Sequence, residues 1–322
     1  MSTISEFFVK RFPIVVRNVY RFISSSPVTV ISDIDDTLRC SGGLVSGVDN
    51  LYPAGTLYPG ATQFMFELSA AHLQCNAGDL SVQDLVDKPL SHLIPHVHIV
   101  TARANIRFLA IQPTDSICSK FRHTASLNNA PNWGVDSILY SKKISEMLIR
   151  NRRKNRKISN VSFLIENKKV IGNFVYVGDT GDIDEDVAST LVEGPHRAAL
   201  RAVFLHEVQR VHFKNKAVYS TLDKYGHSIF NRRTTVHPCI FYFRTYIGAA
   251  IQASRVGLIS KHAVLRVVKS ASAEFEKIQA GKKKTFSTHV SFRAELRASE
   301  FNVDLERALE YCCDININTL PN

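Results

Sequence analysis

The chain has 322 residues, 45% of them hydrophobic and 21% charged, a balance that excludes disordered, collagenous and coiled-coil proteins. Its length allows one large domain or two. Lys and Arg total 40 against 29 Asp and Glu, and the resulting charge of +11 favours anionic partners such as nucleic acid, acidic lipid or phosphorylated substrates.

Residues 1–25 form a basic apolar segment, in which Phe7 to Ile23 carries Lys10, Arg11, Arg17 and Arg21 around Pro13. A helix packed on the core accounts for this pattern. A helix lying on a membrane surface and a weak mitochondrial presequence account for it too. No apolar run reaches the roughly 18 residues of a transmembrane helix. The six cysteines contain no Cys-x-x-Cys pair, so a structural zinc site is not expected, and they suit reduced thiols in a cytosolic protein.

The β-branched run Val28 to Ser32 predicts a buried parallel strand ending at Asp33-Ile34-Asp35-Asp36-Thr37-Leu38. Gly42, Gly43, Gly47, Pro53, Gly55, Pro59 and Gly60 then predict a loop or small hairpin flap. Ala61 to Leu73 reads as an amphipathic helix. His96 to Val100 reads as a second strand, followed by Thr101 and a helix around Ile106 to Ile111. Residues 112–140 show no clean period and read as a loop-rich insertion. A helix is expected over Lys142 to Arg150, then the charge run Arg150 to Lys157, with helical spacing resuming from Ile158 to Ile165.

Asn173 to Val177 is the third predicted strand, ending at Gly178-Asp179. A helix over Asp184 to Val192 and a strand over Leu200 to Leu205 follow. Strands alternating with helices predict an α/β fold with a parallel sheet and right-handed crossovers. Beyond residue 226 the pattern is helical, over Phe241 to Ile259, His262 to Ile278 and Asn302 to Tyr311. The organisation read from the sequence is a segment 1–25, a catalytic domain 26–225 and a helical extension 226–322.

Each of the first three strands ends in a polar residue suited to one task, and ligands of open parallel sheets bind at the carboxyl ends of strands. Asp33, Thr101 and Asp179 are therefore expected to converge. Asp33 and Asp35 stand close enough to repel unless a cation relieves them, and Mg²⁺ does so while neutralising a substrate phosphate. Asp33 suits the nucleophile that forms an aspartyl-phosphate, and Asp35 the acid/base. Thr101 offers a hydroxyl and Arg103 a charge-assisted bond to phosphate. A helix N-cap is the plainer role for Thr101.

Gly178-Asp179-Thr180-Gly181-Asp182-Ile183-Asp184 supplies further carboxylates for Mg²⁺. It is no calcium-binding loop, because no Glu stands at the required distance. Lys157 is the chosen phosphate lysine, with Lys142 and Lys143 as rivals in the same basic stretch.

These residues resemble a known family. Asp33-Ile34-Asp35-Asp36-Thr37, Thr101, Lys157 and Gly178-Asp179 with Asp184 are similar to the four motifs of haloacid dehalogenase-type phosphatases. The resemblance is closer to the catalytic domain of actin-patch-associated phosphatidate phosphatases and their protist or algal relatives. It is carried by Ser32 to Thr37, by Tyr52-Pro53 and Tyr58-Pro59-Gly60 in the flap, and by Phe204 to Gln209. It covers roughly residues 26 to 278.

The resemblance implies a Rossmann-like sheet of haloacid dehalogenase type with a flap insertion, and Mg²⁺-dependent conversion of phosphatidate to diacylglycerol. Asp33 would be nucleophile, Asp35 acid/base, Thr101 and Lys157 phosphate ligands. Metal ligands would come from Asp33, Asp35, Asp179 and Asp184. Thr101 replaces a commoner serine, Asp182 stands where relatives carry Glu or Gln, and the basic stretch before Lys157 lengthens that region.

A lipid substrate implies a cytoplasmic protein peripherally attached to anionic membranes, helped by Arg150 to Lys157 and Lys282-Lys283-Lys284. Two other readings use the same residues: a phosphatase of a soluble ester or phosphoprotein, and a catalytically silent membrane-binding module. No nucleic-acid motif is present, so no nucleic-acid partner is expected.

Overall fold

A computed structural model describes residues 26–43, 47–76, 94–106, 110–142, 145–146, 149–208, 237–280 and 288–315. The expectations for residues 1–25, Lys143 and Lys282-Lys283-Lys284 lie outside these. The strands are β1 (Val28–Ser32), β2 (Val97–Ala104), β3 (Val135–Ser141), β4 (Asn173–Asp179), β5 (Leu200–His206) and β6 (Ile240–Phe243). They form one six-stranded sheet, all parallel, in the order β3-β2-β1-β4-β5-β6. The fold is α/β with a Rossmann-like sheet. β1 pairs with β2 on one side and β4 on the other, so strand order reverses there and a crevice opens at their carboxyl ends.

The helices are α1 (Ala61–Asn76), α2 (Ser116–Leu127), α3 (Arg150–Glu166), α4 (Asp184–Glu193), α5 (Tyr246–Arg255), α6 (Lys261–Ala280) and α7 (Thr288–Tyr311). Among the described residues, no helix is long and apolar enough to cross a membrane. Side chains alternate across the pleat. Val28, Val30, Val175, Val177, Ala202 and Phe204 join one core with α1, α2, α5, α6 and α7. Ile31, Phe174, Tyr176, Val203 and Leu205 join a second core with α3 and α4. Both faces are covered, which is why the strands read as continuous apolar runs.

Four segments differ from the sequence reading, the first being β2, which runs on through Thr101 to Ala104, so Thr101 lies within a strand and caps no helix. The insertion 112–140 contains α2 and edge strand β3. α2 buries only Ile117, Phe121, Thr124 and Ala125, and two of those four are too small or polar to mark an apolar stripe. The charge run Arg150 to Lys157 forms the first two turns of α3, so Lys157 lies inside that helix. The aromatic run Ile240–Phe243 is a strand, and the helix expected from Phe241 starts only at Tyr246, capped by the Thr245 side chain.

The C-terminal segment thus shares the sheet. It also grips the acidic loop, because the Tyr246 hydroxyl donates to the Thr37 carbonyl at 2.8 Å. Both groups are buried, and removing that donor strands an acceptor away from water. Tyr246→Phe is expected to destabilise the protein by about 1–2 kcal/mol, read as a lowered urea midpoint at unchanged m-value.

Candidate active site

The loop after β1 splits three neighbouring carboxylates into three environments. The Asp33 amide donates to the Val177 carbonyl at 2.9 Å, extending the ladder with β4 by one residue. That places Asp33 at the crevice. Asp36 adopts φ +59°, a left-handed conformation that Asp tolerates better than most residues. Its carboxylate accepts from the amides of Ser41 (2.8 Å), Val48 (2.6 Å) and Asp49 (3.0 Å), anchoring the flap. The flap itself is a short antiparallel pairing, in which Tyr58 donates to the Leu38 carbonyl and Cys40 to that of Thr56.

Asp33, Asp179 and Asp184 come together, with one carboxylate oxygen from each within 4.8 Å of the others. All three are buried. Lys157 reaches them from α3, with Nζ 2.9 Å from Asp33 and 2.5 Å from Asp184. Burial of Lys157 disfavours its charge, but Asp184, Asp33 and Asp179 outweigh that effect and hold its pKa above the usual lysine value. The sequence rival Lys142 is exposed beyond the end of β3.

One ammonium does not balance three carboxylates. Burial raises the Asp33 pKa to about 8, against the opposing pull of Lys157 and with further help from Asp184 and Asp35. Burial also raises Asp179 well above the usual carboxylate range, with Asp184 and Asp33 adding to it. Such a donor set, all hard oxygen and over-charged, fits Mg²⁺.

The side chains around the trio hold it in place. Tyr176, buried under the site on β4, donates to Asp184 at 2.9 Å. The Gly181 amide donates to Asp179 at 2.6 Å, and the Thr37 hydroxyl lies 3.4 Å from the other Asp179 oxygen. Gly178 is required by close approach: a Cβ there would stand 2.6 Å from an Asp184 oxygen and 2.7 Å from its Cβ.

Thr101 is buried at the crevice, and its hydroxyl accepts from the Arg103 amide at 3.2 Å. Arg103, expected to meet phosphate, instead forms a two-pronged pair with Asp35, at 2.6 Å from Nε and 2.5 Å from a terminal nitrogen. The Asp35 side chain is therefore turned to Arg103 and is not one of the three clustered carboxylates. Asp182 points away to Arg153 at 2.7 Å. Sequence reasoning missed Tyr176, Tyr246, Arg39 and Asp115. Of these only Asp115, placed before a helix as an N-cap, left a local signal.

No protein-family model matches the sequence, and no curated protein is significantly similar to it.

Two outcomes follow from this packing. Gly178→Ala is expected to displace Asp184 and cost about 1–3 kcal/mol, read as a lower melting temperature. The second concerns pH in metal-free protein. Asp33 titrates near pH 8 when folded and near 3.8 otherwise, so the native state binds more protons between these values. Stability is therefore fully present below the lower value and falls as pH rises toward 8. Melting curves in EDTA should fall from pH 5 to pH 8, Mg²⁺ should raise them more at pH 8, and Asp33→Asn should flatten the trend.

Proposed function

We propose that the protein is a Mg²⁺-dependent phosphoric monoester hydrolase of haloacid dehalogenase type, with Asp33 as nucleophile and phosphatidate as substrate. The observation that carries this reading is the placement of Asp33 at the β1–β4 crevice, 2.9 Å from a buried lysine and clustered with Asp179 and Asp184.

In this reading an Asp33 oxygen attacks phosphorus and the P–O bond to the glycerol oxygen breaks. The leaving oxygen takes a proton from Asp35, giving diacylglycerol and an aspartyl-phosphate. Asp35 then takes a proton from water, whose oxygen attacks phosphorus, releasing phosphate and restoring Asp33. Lys157 and the Thr101 hydroxyl hold the phosphoryl oxygens. Arg103 sits two residues from Thr101 and has a second anion to bind once a phosphoryl group arrives. Asp33, Asp179 and Asp184 would hold Mg²⁺, which supplies charge neutralisation for the phosphoryl group during transfer.

The lipid substrate draws on the resemblance of the loop motifs and on charge. The helix that carries Lys157 inward exposes Arg150 and Arg152 at its start. Cations near an anionic bilayer each contribute about 1 kcal/mol of attraction. Peripheral attachment to a cytoplasmic membrane face belongs to the same proposal.

The test compares phosphate release from phosphatidate in mixed micelles with release from soluble monoesters, with and without Mg²⁺. Turnover should require Mg²⁺, favour phosphatidate, and fall by at least about 10⁴-fold in Asp33→Asn. Retained turnover in that variant would sink the nucleophile assignment. A preference for soluble esters would move the substrate to that class. Absence of any hydrolysis, with binding to acidic vesicles, would favour the silent module.

A further inference from the structure

Asp35 lies between two arginines. Arg103 holds it with two short hydrogen bonds, and Arg39 Nε stands 3.9 Å from one of its oxygens. Among the described residues these are the cations in ion-pair contact with Asp35. The two arginines are anchored differently. Arg103 is on the strand that delivers Thr101 to the crevice, and its amide donates to the Thr101 hydroxyl.

Arg39 is held at the flap root, bridged through its backbone to Asp35 and to Leu57. Its guanidinium also faces Asp115, at 3.3 and 3.4 Å from the two carboxylate oxygens. Asp115 in turn is fixed as the N-cap of α2, accepting from the Ile117 amide at 2.9 Å. Arg39 and Asp35 are largely buried, so the pair is poorly screened by water.

We propose that Asp115 and Arg39 form a positioning pair for Asp35, keeping its carboxyl aimed at the leaving group when Arg103 turns to the substrate phosphoryl group. This rests on the phosphatase reading above. A phosphoryl dianion competes with Asp35 for Arg103, because a guanidinium fork matches either anion. Without a second hold, Asp35 would lose its orientation at the moment it is needed. Arg39 supplies that hold, and Asp115 prevents Arg39 from following the substrate. Arg39 and Asp115 touch neither phosphorus nor the leaving oxygen.

Asp115→Asn is the informative variant, because Asn caps a helix about as well as Asp while removing the charge that holds Arg39. The full chain is assayed with an alkyl phosphate and with p-nitrophenyl phosphate, whose leaving group departs with little need of a proton. On the alkyl phosphate, Asp115→Asn should lower kcat about 3–10-fold and Arg39→Gln about 10–100-fold, each with KM little changed. The double variant should be no worse than Arg39→Gln alone. Losses on p-nitrophenyl phosphate should be several-fold smaller.

Equal losses on both substrates, additive losses in the double variant, or unchanged kcat in both single variants would overturn the pair. A thermal-unfolding cycle over the same variants needs no turnover. If wild type hydrolyses no phosphate ester, the phosphatase reading fails while the cycle still judges the pair. Melting shifts smaller in the double variant than the sum of the singles support it, and additive shifts overturn it.

Discussion

Three buried carboxylates around one buried ammonium set the terms for the rest of this structure. Taking a charge out of water is costly, and mutual attraction repays that cost only where geometry and additional hydrogen bonds are good. Here the attraction is incomplete, since Lys157 can compensate only one of three carboxylates, and burial pushes Asp33 and Asp179 toward their neutral forms. The surroundings answer with directed hydrogen bonds from Tyr176, the Gly181 amide and the Asp179 amide. Two of these donors lie on the sheet itself. Tyr176 and Asp179 lie on β4, and Asp33 is held against β4 by its own amide. The site is thus a property of the β1–β4 register more than of any single loop.

The same constraint explains how three acidic residues within four positions avoid one another. Asp33 turns to the lysine, Asp35 to two arginines, and Asp36 to three backbone amides of the flap. Each carboxylate has a separate compensating partner, so repulsion inside the loop is relieved locally. The loop's own carbonyls are held from the C-terminal side of the sheet. The His206 ring lies between the Asp36 carbonyl, 2.6 Å from Nδ1, and the Arg244 carbonyl, 3.0 Å from Nε2, and Tyr246 donates to the Thr37 carbonyl. An acidic loop with so many fixed neighbours gives its carboxylates little freedom to re-aim. Orientation is therefore built in before any ligand binds, the condition under which positioned groups are most effective.

What the sequence reveals divides along a physical line. β1, β2, β4 and β5 are legible because strands buried on both faces must be nearly continuous apolar runs, and Asp33, Thr101, Asp179 and Asp184 follow from where those runs end. β3 and β6 lie at the sheet edges and are only partly buried, so their patterns carry polar or ambiguous residues. α2 hides for the same reason. The charge run at the start of α3 reads as a boundary because cations there face solvent, although the helix passes straight through them to Lys157. The contacts of Tyr176, Tyr246 and Arg39 are not legible at all. The Tyr246 partner Thr37 is distant in sequence, Arg39 meets Asp115 at the start of an unrecognised helix, and Tyr176 meets Asp184 only through the turn after β4, pairings that no local propensity encodes.

The net charge of +11 and the negative interior of the crevice belong to different steps of encounter. A positive surface raises the local concentration of anions and speeds their approach, with a dependence on salt that buried groups do not share. With Asp33, Asp179 and Asp184 ionised, an anion reaching the crevice meets one ammonium and three carboxylates, and the latter repel it. Long-range attraction therefore cannot by itself give productive binding here. A divalent cation reverses the local sign, and the buried position of the trio makes that reversal strong because little water intervenes. Attraction at the surface and admission to the crevice are separable in this molecule: the first is set by exposed lysines and arginines, the second by what neutralises Asp33, Asp179 and Asp184.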